Sequence, residues 1–153
     1  MEDIFNLDKQ LCFSIYDAGN QFNKLYSKVL HSFGLTYPQY LTLLALWEKD
    51  GLTVKEIGER LNLGSGTLTP MIKRMEANGW VKKERSTVDE RRVSVFLQPK
   101  AITEKSSIIE KIKVEVNTCN IEFEEYEQLM IRLHLLQKKL RMKNESLSNI
   151  KGS

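Results

Sequence analysis

Residues Leu52 to Leu97 read LTVKEIGERLNLGSGTLTPMIKRMEANGWVKKERSTVDERRVSVFL. Thr53 followed three residues later by Glu56 is a capping box, so a helix starts there. Val54, Ile57, Gly58 and Leu61 then share one face at helical spacing. Asn62-Leu63-Gly64 interrupts the pattern, and Gly64 is the residue expected at positive φ. A second helix follows, from Ser65 or Thr67 to Asn78, with Gly79 where a helix C-terminus favours glycine. Pro70 argues for a start nearer Thr67, because proline fits the first turn, where its missing N–H has no partner to lose. From Trp80 the period changes to two. Val93, Val95 and Leu97 alternate with Ser94 and Phe96, Val81 to Arg85 is the partner strand, and Ser86 to Glu90 is the turn.

The order helix, turn, helix, basic hairpin is that of a winged helix-turn-helix, a module that offers one helix and one ribbon to a DNA duplex. Leu68, Met71, Ile72 and Met75 form one stripe of the second helix and are expected in the core. Ser65, Gly66, Thr67, Thr69, Pro70, Lys73 and Arg74 lie off that stripe. Small residues admit close backbone approach, hydroxyls and cations bond phosphates, and arginine or lysine reads guanine. By itself such a face is more often plain solvated helix. The hairpin reverses those odds: it carries Lys82, Lys83 and Arg85 on one strand and Asp89, Arg91 and Arg92 at its tip. An arginine at the tip suits the minor groove, where the potential is most negative. Asp89 is placed to hold the Arg91 guanidinium. Positive charge is local: net −2 over residues 1–50, +4 over 51–100 and +1 over 101–153, within an overall +3.

The chain has 153 residues, the size of one domain with a real core. The winged helix is assigned to 36–98, and helices expected at 7–34 and 100–143 serve dimerisation. The first helix, with Asp8 as N-cap, carries an apolar stripe of Leu7, Leu11, Ile15, Ala18, Phe22, Leu25 and Val29 and ends near Gly34. Ile108, Ile109, Ile112 and Val116 mark another helix, and Leu129, Ile131, Leu133, Leu136 and Leu140 a last one; the polar end from Glu145 is expected to fray. A stripe as long as the first helix's needs other helices to cover it. Interleaving of the first and last helices between two chains gives a homodimer. Such a dimer sets two recognition helices about 34 Å apart, matching a palindromic operator in double-stranded DNA. The fold class expected is therefore mainly α, with a small β-hairpin wing and a helical dimerisation region. No apolar run approaches the ~20 residues of a membrane span, the first ten residues are acidic without a signal-peptide pattern, and two cysteines fit a reducing compartment. A cytoplasmic protein with no membrane partner is expected. His31 and His134 show no ligand spacing with the cysteines, so neither metal nor cofactor is expected.

The segment from about Leu7 to Leu97 resembles the MarR family of winged-helix regulators. Asp89-x-Arg91 matches that family's wing signature. Leu35-Thr36-Tyr37-Pro38-Gln39-Tyr40, Gly66-Thr67-Leu68-Thr69-Pro70 and Gln10-Leu11-Cys12-Phe13 are similar to its organic-hydroperoxide-sensing, OhrR-like branch and to staphylococcal redox-sensing members. Two departures stand out: Gly64 where relatives usually carry Asp, and Gln98-Pro99 where they carry Thr-Glu.

The resemblance implies a repressor that releases DNA when Cys12 is oxidised by an organic hydroperoxide. A thiol near the start of a helix is favoured as thiolate by the helix dipole, although without the resemblance a buried structural cysteine is the commoner reading. The resemblance also implies that Tyr26 and Tyr37 bond the reactive sulfur. Tyr26 lies fourteen residues beyond Cys12, about 21 Å along one helix, so it would have to come from the other subunit. Cys119, between the last two helices, either resolves the oxidised Cys12, as in two-cysteine members, or is passive. Two other functions stay open: a MarR-type regulator gated by a small aromatic ligand, and a thiol peroxidase. The chain shows no peroxidatic loop and no βαβ pattern, and a peroxidase would leave the wing unexplained.

Overall fold

The computed structural model describes residues 5–150. Helices α1 (Leu11–Leu30), α2 (Tyr37–Glu48), α3 (Val54–Leu61) and α4 (Ser65–Ala77) precede a hairpin of β2 (Val81–Arg85) and β3 (Val93–Leu97). Strand β1 (Leu52–Thr53) comes before α3; α5 (Pro99–Thr103), α6 (Lys105–Asn117) and α7 (Phe123–Ile150) follow the hairpin. The sheet is antiparallel in the order β1-β3-β2, with Val95 opposite both Leu52 and Lys83. The chain divides into two compact units, Met1–Glu115 and Val116–Ser153.

The core of the first unit lies among α2, α3, α4 and the sheet. Leu43, Leu46, Ile57, Leu68, Met71, Ile72, Met75, Trp80, Val81 and Val95 are buried, and Ile108 and Ile112 of α6 are buried as well. The expected stripe Leu68, Met71, Ile72, Met75 is thus the buried face of α4. Helix α2 is capped by a reciprocal pair, Thr36 Oγ1 accepting from Gln39 N–H and Gln39 Oε1 accepting from Thr36 N–H. Hydrophobic period gives no sign of this helix, because most of its faces carry apolar residues; the Thr36-x-x-Gln39 box with Pro38 is the signal that locates it.

The capping box of Thr53 and Glu56 is present, at 3.1 and 2.7 Å. Three local expectations are corrected. Asn62, not Gly64, takes the left-handed conformation, at φ 53° and ψ 46°; asparagine tolerates that region when it ends a helix. Gly64 sits at φ −72° as the N-cap of α4. The turn is tight for a different reason: a Cβ on Gly58 would lie 2.9 Å from the Leu63 carbonyl oxygen. Helix α4 starts at Ser65, with Pro70 inside it. The Gly64 carbonyl accepts from both Thr67 and Leu68 N–H, which closes the first turn before Pro70 is reached. At the chain start, Asn6 Oδ1 accepts the Asp8 N–H and draws Asp8 into a 3-10 turn over Leu7–Lys9. Gln10, not Asp8, is then the N-cap of α1.

The N-terminal part of α1's apolar stripe is uncovered in the chain, Leu11 being 64% exposed, and Leu30 is the helix's one fully buried residue. Helix α7 has 28 residues and buries none of them, and it stays helical past Glu145 to Ile150, where fraying is expected from sequence. Among the described residues no helix is long and apolar enough to cross a membrane.

Candidate nucleic-acid interface and thiol site

Helix α4 puts its apolar residues inward, so the residues a half-turn away must face out. Ser65, Thr67, Thr69, Pro70, Lys73 and Arg74 are all exposed. Asp89, Arg91 and Arg92 are exposed at the hairpin tip. A cleft of about 860 Å³ lies among α3, α4 and the hairpin, with Lys55, Glu56 and Glu59 of α3, Thr69 and Glu76 of α4, and Arg85, Arg91 and Arg92 of the hairpin in its lining. Of the predicted residues, Thr69 of α4 and Asp89, Arg91 and Arg92 of the wing line this cleft; Ser65, Thr67, Pro70, Lys73 and Arg74 lie outside its lining.

The tip is built by its own polar groups. Ser86 Oγ accepts the Val88 and Asp89 N–H groups, each at 3.2 Å. The Ser86 N–H reaches the Arg92 carbonyl at 2.9 Å, and the Arg92 N–H reaches the Asp89 carbonyl at 2.9 Å. The Asp89 carboxylate accepts the main-chain N–H of Arg91 at 3.1 Å. This corrects the expected grip on the guanidinium: over two residues in a tight turn, a short carboxylate meets the backbone first. Arg91 is fixed at its Cα, and its guanidinium extends from there. Arg85, not singled out from sequence as a tip residue, donates to the Glu90 carbonyl at 2.6 Å.

Glu76 was not legible as functional. Its carboxylate accepts the Lys83 main-chain N–H at 2.8 Å and lies 3.8 Å from the Lys83 ammonium. It therefore ties the recognition helix to the edge strand of the wing. Glu56 is held below the usual carboxylate range, first by the Thr53 backbone and side-chain hydrogen bonds and then by the charges of Lys49 and Arg92.

Cys12 is the second residue of α1, closer to the helix start than expected, and it is exposed. Its Sγ faces the Gln10 side-chain oxygen at 3.9 Å. Tyr26 lies on the same continuous helix, so the separation of about 21 Å stands and the two do not meet within one chain. Tyr26 and Tyr37 do come together, with ring centroids 5.1 Å apart. Sequence reasoning missed the third phenol: Tyr40 stacks at 5.8 Å from Tyr26 and is 5% exposed. Burial pushes its pKa up to about 12, with Tyr26 and Tyr37 adding to the effect, and burial raises that of Tyr37 too. Cys119 is exposed in the connection between α6 and α7, where its N–H bonds the Val116 carbonyl at 3.0 Å. Among the described residues no cluster of His, Cys, Asp or Glu is arranged to hold a metal.

Buried Trp80 leaves its indole N–H without a partner among the described residues, at a cost of about 1–3 kcal/mol.

A helix-turn-helix with a basic hairpin beside it defines a winged-helix regulator. The family model described as transcriptional regulator SarA/Rot matches residues 24–112, and the chain belongs to that family. It is 40% identical over 142 residues to the organic hydroperoxide resistance transcriptional regulator of Bacillus subtilis, covering 93% of this chain and 97% of that one. It is 56% identical over 99 residues to the regulator TtmR of Methylorubrum extorquens, spanning 65% of this chain but only about half, 51%, of TtmR. The solved structure of reduced AbfR bound to DNA superposes with a TM-score of 0.82 at 39% identity, covering 93% of this chain and 98% of AbfR. AbfR, from Staphylococcus epidermidis, is also solved in a disulfide-formed state, with a TM-score of 0.64 at 38% identity, covering 88% and 95%.

Proposed function

We propose that the chain is a redox-controlled transcriptional repressor. As a homodimer it holds palindromic duplex DNA when reduced and releases it when Cys12 is oxidised by an organic hydroperoxide. The observation that carries the reading is that one cleft is lined by Thr69 of α4 and by the wing arginines Arg85, Arg91 and Arg92, while Lys73 and Arg74 of the same helix are exposed. Thr67, Thr69, Lys73 and Arg74 read the major groove, and Arg91, anchored by Asp89, enters the minor groove. Dimerisation is supported by the uncovered stripe of α1 and by the absence of any buried residue on α7.

The chemistry balances in two steps. The Cys12 thiolate attacks one peroxide oxygen, the O–O bond breaks, and the alcohol leaves after taking up a proton. The sulfur is oxidised by two electrons to sulfenic acid. The Cys119 thiolate of the partner chain then attacks that sulfur, forming the disulfide and expelling water. The disulfide-formed state of AbfR supports this second step. A disulfide needs the two Cα atoms within about 7 Å, so any greater separation in the reduced dimer is made up by movement of the helices that carry them. Tyr26 and Tyr37 of the opposite subunit bond the reacting sulfur. The chain is spent by one equivalent of oxidant rather than turning it over.

The test combines DNA binding with a non-reducing gel. Cys12→Ser should bind a duplex from the promoter of the neighbouring gene and hold it after cumene hydroperoxide is added. Oxidised protein of natural sequence should run as a dimer band that either Cys12→Ser or Cys119→Ser abolishes. Normal release by Cys12→Ser rules out the sensing mechanism. A persistent monomer labelled on Cys12 by a dimedone-type probe leaves the sensor but removes the disulfide.

A further inference from the structure

One continuous set of contacts in the first unit runs from the phenols to the recognition helix. Tyr26 and Tyr37 stack on each other, and Tyr26 stacks on Tyr40. Tyr40 meets the Trp47 ring edge-on, with centroids 6.4 Å apart at 70°. Trp47 Nε1–H donates to the Ala101 carbonyl of α5 at 3.1 Å. The neighbouring residue, Lys100, donates its ammonium to the Asn78 carbonyl at 3.1 Å and covers the Trp80 ring at 4.4 Å. Asn78 is the C-cap of α4.

We propose that Trp47 and Lys100 couple the phenol cluster to the recognition helix. The proposal rests on the reading of Cys12 as the sensor with Tyr26 and Tyr37 as its partners across the dimer. When oxidation displaces those phenols, Tyr40 is buried and cannot yield locally, because close-packed interiors pass strain on. Trp47 carries the shift into α5 through a single directed hydrogen bond. Helix α5 has five residues and joins the wing strand β3 to α6, so it can move as a piece. Lys100 then pulls on the Asn78 carbonyl at the C-cap of α4. The far end of the path is suited to a second arrangement: Trp80, beneath Lys100, has a buried indole N–H with no acceptor among the described residues, so a displaced state that supplies one is favoured by that bond. Small helix shifts of this kind are a common form of switching, and coupling is demonstrated only when both sites bias one such element.

The test uses two conservative variants of the full chain. Trp47→Phe keeps a ring against Tyr40 and deletes the N–H. Lys100→Met keeps the stem over Trp80 and deletes the ammonium. The readout is the ratio of DNA affinity before and after one equivalent of cumene hydroperoxide, on the promoter duplex, with Cys12 oxidation followed by loss of its labelling by a maleimide, which reacts only with the remaining thiol. The unsubstituted protein should show a ratio of about 5- to 150-fold, the usual span of allosteric coupling. Both variants should oxidise at Cys12 normally yet show a ratio several-fold smaller. Ratios equal to that of the unsubstituted protein overturn the proposal. So does equal weakening in both redox states, which is what a merely structural role produces. If the unsubstituted protein itself keeps its DNA on oxidation, the sensing reading fails and the coupling falls with it.

Discussion

The carboxylate of Glu76, on the recognition helix, accepts the main-chain N–H of Lys83, on the edge strand of the wing, at 2.8 Å. Two elements proposed to meet the same duplex are thereby held at one spacing. The bond also satisfies a donor that an edge strand would otherwise present to solvent or to another chain.

Glu76→Ala should loosen that spacing. A hydrogen bond of this kind contributes about 1 kcal/mol, and about 2–4 °C in Tm is expected per kcal/mol at this size. The more telling effect is on DNA. Hydroxyl-radical footprinting should show weakened protection where the wing sits, with the recognition-helix footprint kept. Glu76→Gln retains an acceptor and should restore most of it. An unchanged wing footprint in Glu76→Ala would remove Glu76 from the binding geometry.

Arg91→Ala should weaken duplex binding and lower the slope of log affinity against log salt by about one. Because Asp89 holds the Arg91 backbone and not its guanidinium, Asp89→Asn, whose side-chain oxygen still accepts that N–H, should cost far less affinity than Asp89→Ala. Titrations at three salt concentrations decide this. Equal losses in the two Asp89 variants would contradict the turn geometry.

Gly64→Asp should stabilise the protein. Gly64 is the N-cap of α4 at φ −72°, without a side-chain cap, and a Cβ there meets nothing within 4 Å. An aspartate would accept a first-turn N–H and face the positive end of the helix dipole, a gain of about 0.5–1.5 kcal/mol. Calorimetry should show a higher Tm; a lowered one would mean that the helix start is already satisfied.

Tyr40 makes stability depend on alkaline pH. Its pKa is raised to about 12 in the fold, chiefly by burial, against about 10 in an unfolded chain. The neutral phenol is favoured in the fold, so its contribution is fully present below pH 10 and is lost as pH rises through 12. Urea unfolding at pH 9 and at pH 11.5 should show a drop that Tyr40→Phe reduces. An equal drop in both proteins would assign the effect to other groups.

The winged helix was legible because its signals are local. A capping box, a four-residue apolar stripe and a change of period from helix to strand each need only a few neighbouring residues, and Leu68, Met71, Ile72 and Met75 are buried as their spacing predicts. Helix α2 was hidden by being apolar on most sides, and β1 by having two residues. The helix start at Ser65 is not where Pro70 points, because the first turn is closed by the Gly64 carbonyl ahead of the proline. At the site, exposed candidates on α4 and the wing were readable from residue type. Glu76, Tyr40 and Trp47 were not, since their significance lies in contacts with residues distant in sequence: Trp47 reaches Ala101.

Helix α7 has a further consequence. In the proposed homodimer, a helix of 28 residues that buries none of them on its own chain gains its packing from the second molecule. Folding of that segment is then a bimolecular event, and its melting point should rise with protein concentration. The number of copies a cell makes becomes part of the regulator's set point. At low abundance a share of the chains stays unpaired, with the last helix open to proteases, so scarcity and degradation reinforce each other.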